Sequence, residues 1–376
     1  MALISVVQKK VVEKDQKIES EILLEGISLA SVLPGPIAFN VITFIGYKLR
    51  GIKGAFVSMT GILLPPFLLM LILSFVYVKY GDIPSFTHFF AGVLPAVAAV
   101  IISVAITMAK KNISDAPQAL IALAAATVIV LSKTYSTTLI VMLTSGIAGY
   151  LIYKQPSGQQ KEVRIKQITG GNEKFVLIFL ALIMISVSLI LIFPLIIPQE
   201  SEISALLHQR IMLTFSGMSL SLFGGGYVVI PAMQQVVVNS MNWLTNKEFA
   251  DAIAMGQITP GPIFISATFI GYKLAGFWGA LNATVAIFLP PGLVMIASTH
   301  YFNKIRNSTV IIAVFKGLRP AIIGMIAAAA FTILAHSDIS YKTGLLLCVF
   351  LILAIKYKAD PVFLIPGAGI TGLLIF

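Results

Sequence analysis

Long apolar blocks alternate with short polar punctuation along this chain. Ala55 to Val78, Phe175 to Pro198 and Ile211 to Met233 each run without an internal charge. Each exceeds about 18 residues, long enough to cross a bilayer as a helix. The pattern predicts spans near 54–79, 88–109, 117–132 and 137–153, and again near 277–302, 311–335, 342–358 and 361–376. The spans at 117–132 and 137–153 are short, which implies tilt or local thinning of the bilayer. Residues 1–21 form a polar tail of balanced charge, and 154–174 a linker rich in Gln, Lys and Gly. The linker separates a first repeat (22–153) from an additional transmembrane helix (175–198) and a second repeat (207–376). The second repeat opens on a span near 207–233 that carries Phe223-Gly224-Gly225-Gly226-Tyr227. Three glycines there imply close helix contact or an unwound point.

Two of the blocks are broken in the same way. Val32-Leu33-Pro34-Gly35-Pro36 leads through Phe44-Ile45-Gly46-Tyr47-Lys48-Leu49 to Gly51, Gly54-Ala55 and Pro65-Pro66. Ile258-Thr259-Pro260-Gly261-Pro262 leads through Phe269-Ile270-Gly271-Tyr272-Lys273-Leu274 to Gly276, Gly279-Ala280 and Pro290-Pro291. From Phe44 to Pro66 the copies align without a gap at an offset of 225 residues, as from Gly46 to Gly271. A repeat of this length marks a duplicated chain. Proline removes a backbone donor and clashes with the turn before it, whereas a second proline suits the first position of a new helix. Each copy is therefore expected to be two half-helices joined by an unwound stretch. In a membrane, such an interruption in two equivalent places points to a substrate site more than to a packing kink.

Composition narrows the class. Apolar residues make up 58% of the chain and charged residues 11%, against roughly 25% charged in soluble domains. The formal charge of +11 is scattered over short loops, which reads as a topology signal and not as a nucleic-acid surface. The single cysteine, Cys348, excludes a disulfide framework and a thiolate metal site. His88, His208, His300 and His336 have no ligand spacing, and neither a His-Glu-x-x-His nor a Walker motif occurs. No enzyme, metal or cofactor is expected. No apolar run with a small-residue cleavage site marks the first residues as a removable signal.

Loop charges bear on topology. If each broken stretch crosses the bilayer, Lys48/Arg50/Lys53, Lys110/Lys111, the linker, Lys304/Arg306 and Lys356/Lys358 share one face, which the positive-inside rule makes cytoplasmic. If the stretches are re-entrant, the two basic loops of the second half move outside on this span count. Crossing is therefore preferred. The expected fold is an all-α polytopic membrane protein whose homologous halves are inverted repeats, each with a broken Pro-Gly-Pro helix.

With these motifs in place, the chain resembles the chromate transporter family over nearly its whole length. The resemblance is strongest in Phe223-Gly224-Gly225-Gly226-Tyr227, Trp243-Leu244, Phe249, Gly256-Gln257-Ile258-Thr259-Pro260-Gly261-Pro262, Ala267-Thr268-Phe269-Ile270-Gly271-Tyr272 and Phe288-Leu289-Pro290-Pro291. Two-domain members carry a Phe-Gly-Gly-Pro helix ahead of the first Pro-Gly-Pro, and this chain shows none ahead of Pro34. Ser31 stands where the second half has Gln257. The resemblance implies export of chromate, a tetrahedral dianion, across the bacterial cytoplasmic (inner) membrane. Sulfate or another oxyanion is the alternative cargo, and a half-transporter that needs a partner chain is the alternative assembly. A homodimer is left open, and no nucleic-acid partner is expected.

Half-helices that begin at Pro36 and Pro262 present free N–H groups of Ile37, Ala38, Phe39, Ile263, Phe264 and Ile265, an anion site without a fixed cation. Gly35 and Gly261 admit the anion to the backbone. Gln257, Thr259, Ser266, Thr268 and Ser31 supply side-chain donors, and carbonyls freed by Pro34 and Pro260 face the other way. Gly224, Gly225 and Gly226 join the candidate site as a second unwound point, and Arg319 as a side-chain cation beside Pro320. Glu25 and Asp251, each nine residues before its triplet, are either proton relays or favourable charges at a helix N-terminus. Lys48 and Lys273 either funnel anions or snorkel to headgroups.

Overall fold

The apolar blocks are helical throughout the residues that the computed structural model describes, 18–31, 33–81, 83–132, 135–153, 202–221, 226–299, 309–335 and 340–376. In chain order the helices are α1 (Ser20–Ala30), α2 (Ile37–Tyr80), α3 (Pro84–Asn112), α4 (Ala116–Leu131), α5 (Tyr135–Tyr153) and α6 (Glu202–Ser221). A 3-10 turn (Gly226–Val228) leads into α7 (Val229–Gln234), which widens into a π-helix (Gln235–Ser240). Then come α8 (Asn246–Ile258), a 3-10 turn (Ile263–Ile265), α9 (Ser266–Ser298), α10 (Thr309–Ala335), α11 (Tyr341–Ile355) and α12 (Pro361–Ile375). No strand occurs among the described residues. The expected linker 154–174 and helix 175–198 lie outside them, as does most of the tail. Of the stretch read as one span, 207–233, the described residues are helical up to Ser221 and again from Gly226, where a 3-10 turn opens.

Among the described residues, four helical segments are long and apolar enough to cross a membrane: Ile37–Tyr80, Thr87–Asn112, Ile263–Ser298 and Ile312–Leu334. Lipid offers no hydrophobic drive for helices to associate, so close packing at small residues must hold them. A Cβ on Gly149 would lie 2.5 Å from the Gly317 nitrogen, and one on Gly372 would lie 2.8 Å from Gly92 Cα. These glycines let α5 meet α10 and α3 meet α12 backbone to backbone.

The repeated glycines explain the corners of α2 and α9. Arg50 (φ −142°, ψ 27°) and Gly51 (φ 59°, ψ −148°) interrupt α2, and Ala275 (φ −150°, ψ 34°) and Gly276 (φ 57°, ψ −148°) interrupt α9. Only glycine adopts that positive φ at low cost. The arms then fold against each other, so closely that a Cβ on Gly46 would lie 2.5 Å from the Gly54 carbonyl oxygen. Gly271 meets Gly279 in the same way. Lys48, Arg50 and Lys53 ring the exposed corner of α2.

The Pro-Gly-Pro triplets do not let the chain continue across. A Cβ on Gly26 would meet the Phe44 ring at 2.7 Å, and Glu25 lies 3.5 Å from Lys48 Nζ, so α1 runs back alongside the first arm of α2. In the second half Gly256 packs on Ser266, and Glu248 pairs with Lys273. Each broken helix is thus a re-entrant hairpin with its triplet at the tip and an ion pair at its base. This corrects the expected crossing. Proline stops a helix without setting the direction of the next, and Gly35 at φ 97° takes part in the reversal.

The hairpins still enter from opposite sides. Tyr77, near the far end of α2, donates its hydroxyl to Asp251 Oδ2 at 2.7 Å and so places the second base opposite the Arg50 corner. The halves are inverted, as expected. The loop charges that are described also stay together, while Lys304, Arg306 and the linker lie outside the described residues. Gly372 packs on Gly92 and Lys342 Nζ donates to the Ile375 carbonyl, so Lys356 and Lys358 lie at the end of α3 that carries Lys110 and Lys111. That end faces the same side as Lys48, Arg50 and Lys53, because α3 starts beside the far end of α2, where the Phe90 ring lies 5.5 Å from Tyr77, and is long enough to cross.

Candidate functional site

Each hairpin tip is seated on the other repeat. A Cβ on Gly35 would lie 3.0 Å from Pro291 Cγ and nearer still to its Cβ, and one on Gly261 would lie 2.9 Å from Pro66 Cβ. The two contacts are equivalent under the repeat. They give the Pro65-Pro66 and Pro290-Pro291 pairs, which lie mid-arm, a reason to recur. Behind the tips the Phe288 ring packs against Phe39 (5.2 Å) and Phe264 (6.2 Å), one from each half-helix. All three rings are buried.

At the first tip Pro34, Gly35 and Pro36 are buried, and Ile37 and Ala38 half-buried. The first N–H satisfied within α2 is that of Asn40, onto the Pro36 carbonyl (3.0 Å). Those of Ile37, Ala38 and Phe39 precede it, in the turn where a helix has no internal acceptors. Past the second tip, where Gly261 N–H bonds the Thr259 carbonyl (2.8 Å), Ile265 N–H is the first satisfied in the half-helix, onto Pro262 (2.9 Å), and those of Ile263 and Phe264 precede it. Pro260 is exposed and Gly261 half-buried, so the two tips are not identical. Gly226 reaches the second tip, where a Cβ on it would lie 3.3 Å from Ile263. Gly224 and Gly225 lie outside the described residues.

The hydroxyls at the tips have already committed their protons. Thr259 donates to the Gly256 carbonyl (2.9 Å), Ser266 to that of Ile263 (2.9 Å) and Ser31 to that of Ser28 (2.7 Å). Thr268 lies 2.7 Å from Thr284, whose own proton goes to the Ala280 carbonyl, so Thr268 is the donor of that pair. These oxygens offer an approaching anion only lone pairs. Gln257 differs: it is buried, and neither its amide nitrogen nor its oxygen has a partner. An unsatisfied buried amide costs about 1–3 kcal/mol, and such groups are rare without a reason.

The charged candidates are placed unequally. Glu25 and Lys48 form a half-exposed pair at the first base. Asp251 is buried; Tyr77 serves Oδ2, and Oδ1 has no partner. Lys273 is engaged by Glu248, whose carboxylate also closes a capping box with Thr245. Arg319 is exposed on α10 with its guanidinium over Phe315 (5.9 Å), and the structure does not bring it to the tips. Among the described residues no cluster of His, Cys, Asp and Glu could hold a metal ion.

Sequence reasoning missed Asn40. Its side chain is fully buried and donates to the Pro34 carbonyl at 2.8 Å, taking up the acceptor that the helix break sets free. Its Oδ1 has no partner. An asparagine in the apolar run 37–46, just after a broken helix, was the available signal.

The family model of the chromate transporter matches residues 1–150 and 209–373, that is, both repeats. The chain belongs to the chromate transporter family. Among relatives, the chromate transport protein of Cupriavidus metallidurans is 29% identical over 100% of this chain and 88% of its own length. The probable chromate transport protein of Synechococcus elongatus is 30% identical over 100% and 90%. The uncharacterized transporter YwrA of Bacillus subtilis is 32% identical over 41% of this chain and 88% of its own length, so that relative is about the length of one repeat. No solved structure matches this chromate transporter family member. With its apolar helices, the family places it among multi-pass membrane proteins.

Proposed function

We propose that this chain is a secondary transporter that exports chromate, or a like tetrahedral oxyanion, through the bacterial cytoplasmic membrane. The anion is held between the two hairpin tips. The observation that carries this reading is that two oppositely directed half-helix N-termini, each with N–H groups left over, are seated on one another's repeats and share the Phe288 ring behind them. A doubly charged anion stripped of water costs tens of kcal/mol in a low-dielectric interior unless donors replace its hydration. Backbone N–H groups of Ile37, Ala38, Phe39, Ile263 and Phe264, the positive helix ends and the Gln257 amide supply them. The committed hydroxyls of Thr259, Ser266 and Thr268 stand outside that shell. Both repeats contribute to the tip contact, which supports a single chain over a half-transporter. The basic face, with Lys48, Arg50 and Lys110, is cytoplasmic by the positive-inside rule.

Backbone donors read shape and charge, so sulfate is the second cargo that the same site favours. Chromate flux into inverted vesicles, with and without excess sulfate, separates the two. In proteoliposomes the Pro260→Ala, Gly261→Leu double variant should insert normally and lose flux, because the second half-helix gains turns upstream and its tip no longer fits Pro66. Wild-type flux in that variant removes the tip site.

A further inference from the structure

Among the described side chains Asp251 is the only buried carboxylate, 1% exposed. It takes no part in the anion shell. Its Oδ2 accepts the Tyr77 hydroxyl, and Oδ1 has no partner among the described residues. Asp251 is the sixth residue of α8, past the first turn to which the favourable effect of a helix N-terminus is confined, and Glu248 already fills that place in the capping box. Its repeat equivalent, Glu25, is half-exposed and paired with Lys48, so water and a cation carry that charge. A buried carboxylate with an open oxygen lacks both, and a proton on the open oxygen removes the charge that burial penalises.

Charges of both signs reach Asp251. Lys247, four residues before it on α8, and Lys273 of α9 favour its charged form, whereas Glu248, three residues before it, opposes that form. Lys79, at the end of α2, lies over the Phe75 and Tyr80 rings. α7, the π-helix, the 3-10 turn ahead of α9, and α12 also pack on α8 and carry no titratable side chain. Neither His88, Lys110 and Lys111 of α3 nor Lys316 and Arg319 of α10 reaches it. Glu248 and Lys273 are partly exposed at the hairpin base, so the face opposite the Arg50 corner lies about one helical turn from Asp251.

Two contacts join the second hairpin to one arm of α2. Gly261 seats on Pro66, and Asp251 accepts from Tyr77, further along the same arm. Along α8 Asp251 stands seven residues before Ile258, about 10 Å at 1.5 Å per residue. A dianion at the tips and an ionised Asp251 would repel each other over little more than that distance, in an interior that screens charge poorly. From this placement we infer that Asp251 is a proton-binding site coupled to the anion. A proton from water at the face opposite the Arg50 corner adds to Oδ1 when an oxyanion occupies the tips, and returns to water when the anion departs. The inference rests on the transport reading above. In the protonated form Oδ2 still accepts from Tyr77, but the bond loses the charge that strengthened it, so the same proton loosens the second hairpin on α2. Linkage is reciprocal, so a supplied proton tightens anion binding.

Binding of labelled sulfate to the purified full chain in detergent, measured across pH, tests this. Proton uptake on binding is read in weakly buffered solution, the carboxyl C=O stretch by infrared difference spectroscopy, and proteoliposome flux alongside. Sulfate is the probe because it stays a dianion from mildly acid to alkaline pH, so any proton taken up belongs to the protein. The wild type should take up one proton with sulfate, raise a protonated-carboxyl band, and bind more tightly as pH falls, by about tenfold per pH unit at the steepest. Asp251→Asn, of nearly the same shape and permanently neutral, should bind at the wild type's acid-pH affinity at every pH, without proton uptake and without the band. Tyr77→Phe removes the donor to the charged form, so proton uptake should persist and extend to higher pH. Sulfate binding by the wild type with neither proton uptake nor the band, or an unchanged uptake and pH slope in Asp251→Asn, overturns the coupling. If neither sulfate nor chromate binds or crosses while the band still follows pH, the transport reading falls and the coupling with it.

Discussion

Gly35→Ala asks most directly whether the tips must seat on the opposite repeat. Gly35 holds φ 97°, outside the range that an L side chain occupies cheaply, and a residue forced there costs about 1–2 kcal/mol. The new Cβ would also lie 3.0 Å or less from two atoms of Pro291, where carbon atoms prefer about 3.5–4.0 Å. Overpacking of that kind costs about 1–3 kcal/mol. Together the seated tip loses roughly 2–5 kcal/mol, which lowers its population relative to an unseated one by a factor of about 30 to several thousand. Proteoliposomes should show oxyanion flux reduced by at least tenfold, and the detergent-solubilised protein a lower Tm. Gly61→Ala is the control, because nothing lies within 4 Å of a Cβ there and helix propensity improves. Adding Pro291→Gly to Gly35→Ala removes the struck side chain and should recover part of the flux. Wild-type flux and Tm in Gly35→Ala would refute the seating argument.

Tyr77→Phe removes the hydrogen bond that ties Asp251 of one repeat to α2 of the other. Leaving a buried oxygen without its partner costs about 1–3 kcal/mol, so Tm should fall while the Phe90 and Phe269 ring contacts keep the site packed; an unchanged Tm shows that the contact holds nothing. Lys48→Ala breaks a pair whose side chains are 37% and 39% exposed. Such pairs contribute about 0–1 kcal/mol, and flux should stay within about twofold. A tenfold loss would assign Lys48 to anion capture.

Some of the fold was legible because it rests on local chemistry. Pro-Gly-Pro ends a helix in any context, apolar blocks of membrane-spanning length are helical, and a repeat of Gly46 to Pro66 at Gly271 to Pro291 means two like halves. Other features were visible as letters without a reason. Gly46, Gly51 and Gly54 recur because two arms touch at a corner, and Pro66 and Pro291 recur because each receives the other half's tip. Thr259, Ser266 and Thr268 carried the right functional group for an anion. Which acceptor takes a hydroxyl proton depends on the nearest carbonyl, and that cannot be read from the residue type.

By itself, then, the chain's order of residues determined the helical membrane class, the duplication, the two breaks and their glycines. Tertiary structure decided that the broken helices turn back, that they do so from opposite sides, and that Gln257 and Asn40 are left with unpaired atoms beside the tips. Helix propensity and helix breaking act within a few residues. The direction of a half-helix and the company of a buried amide are set by segments more than 200 residues apart, as Gly35 and Pro291 are.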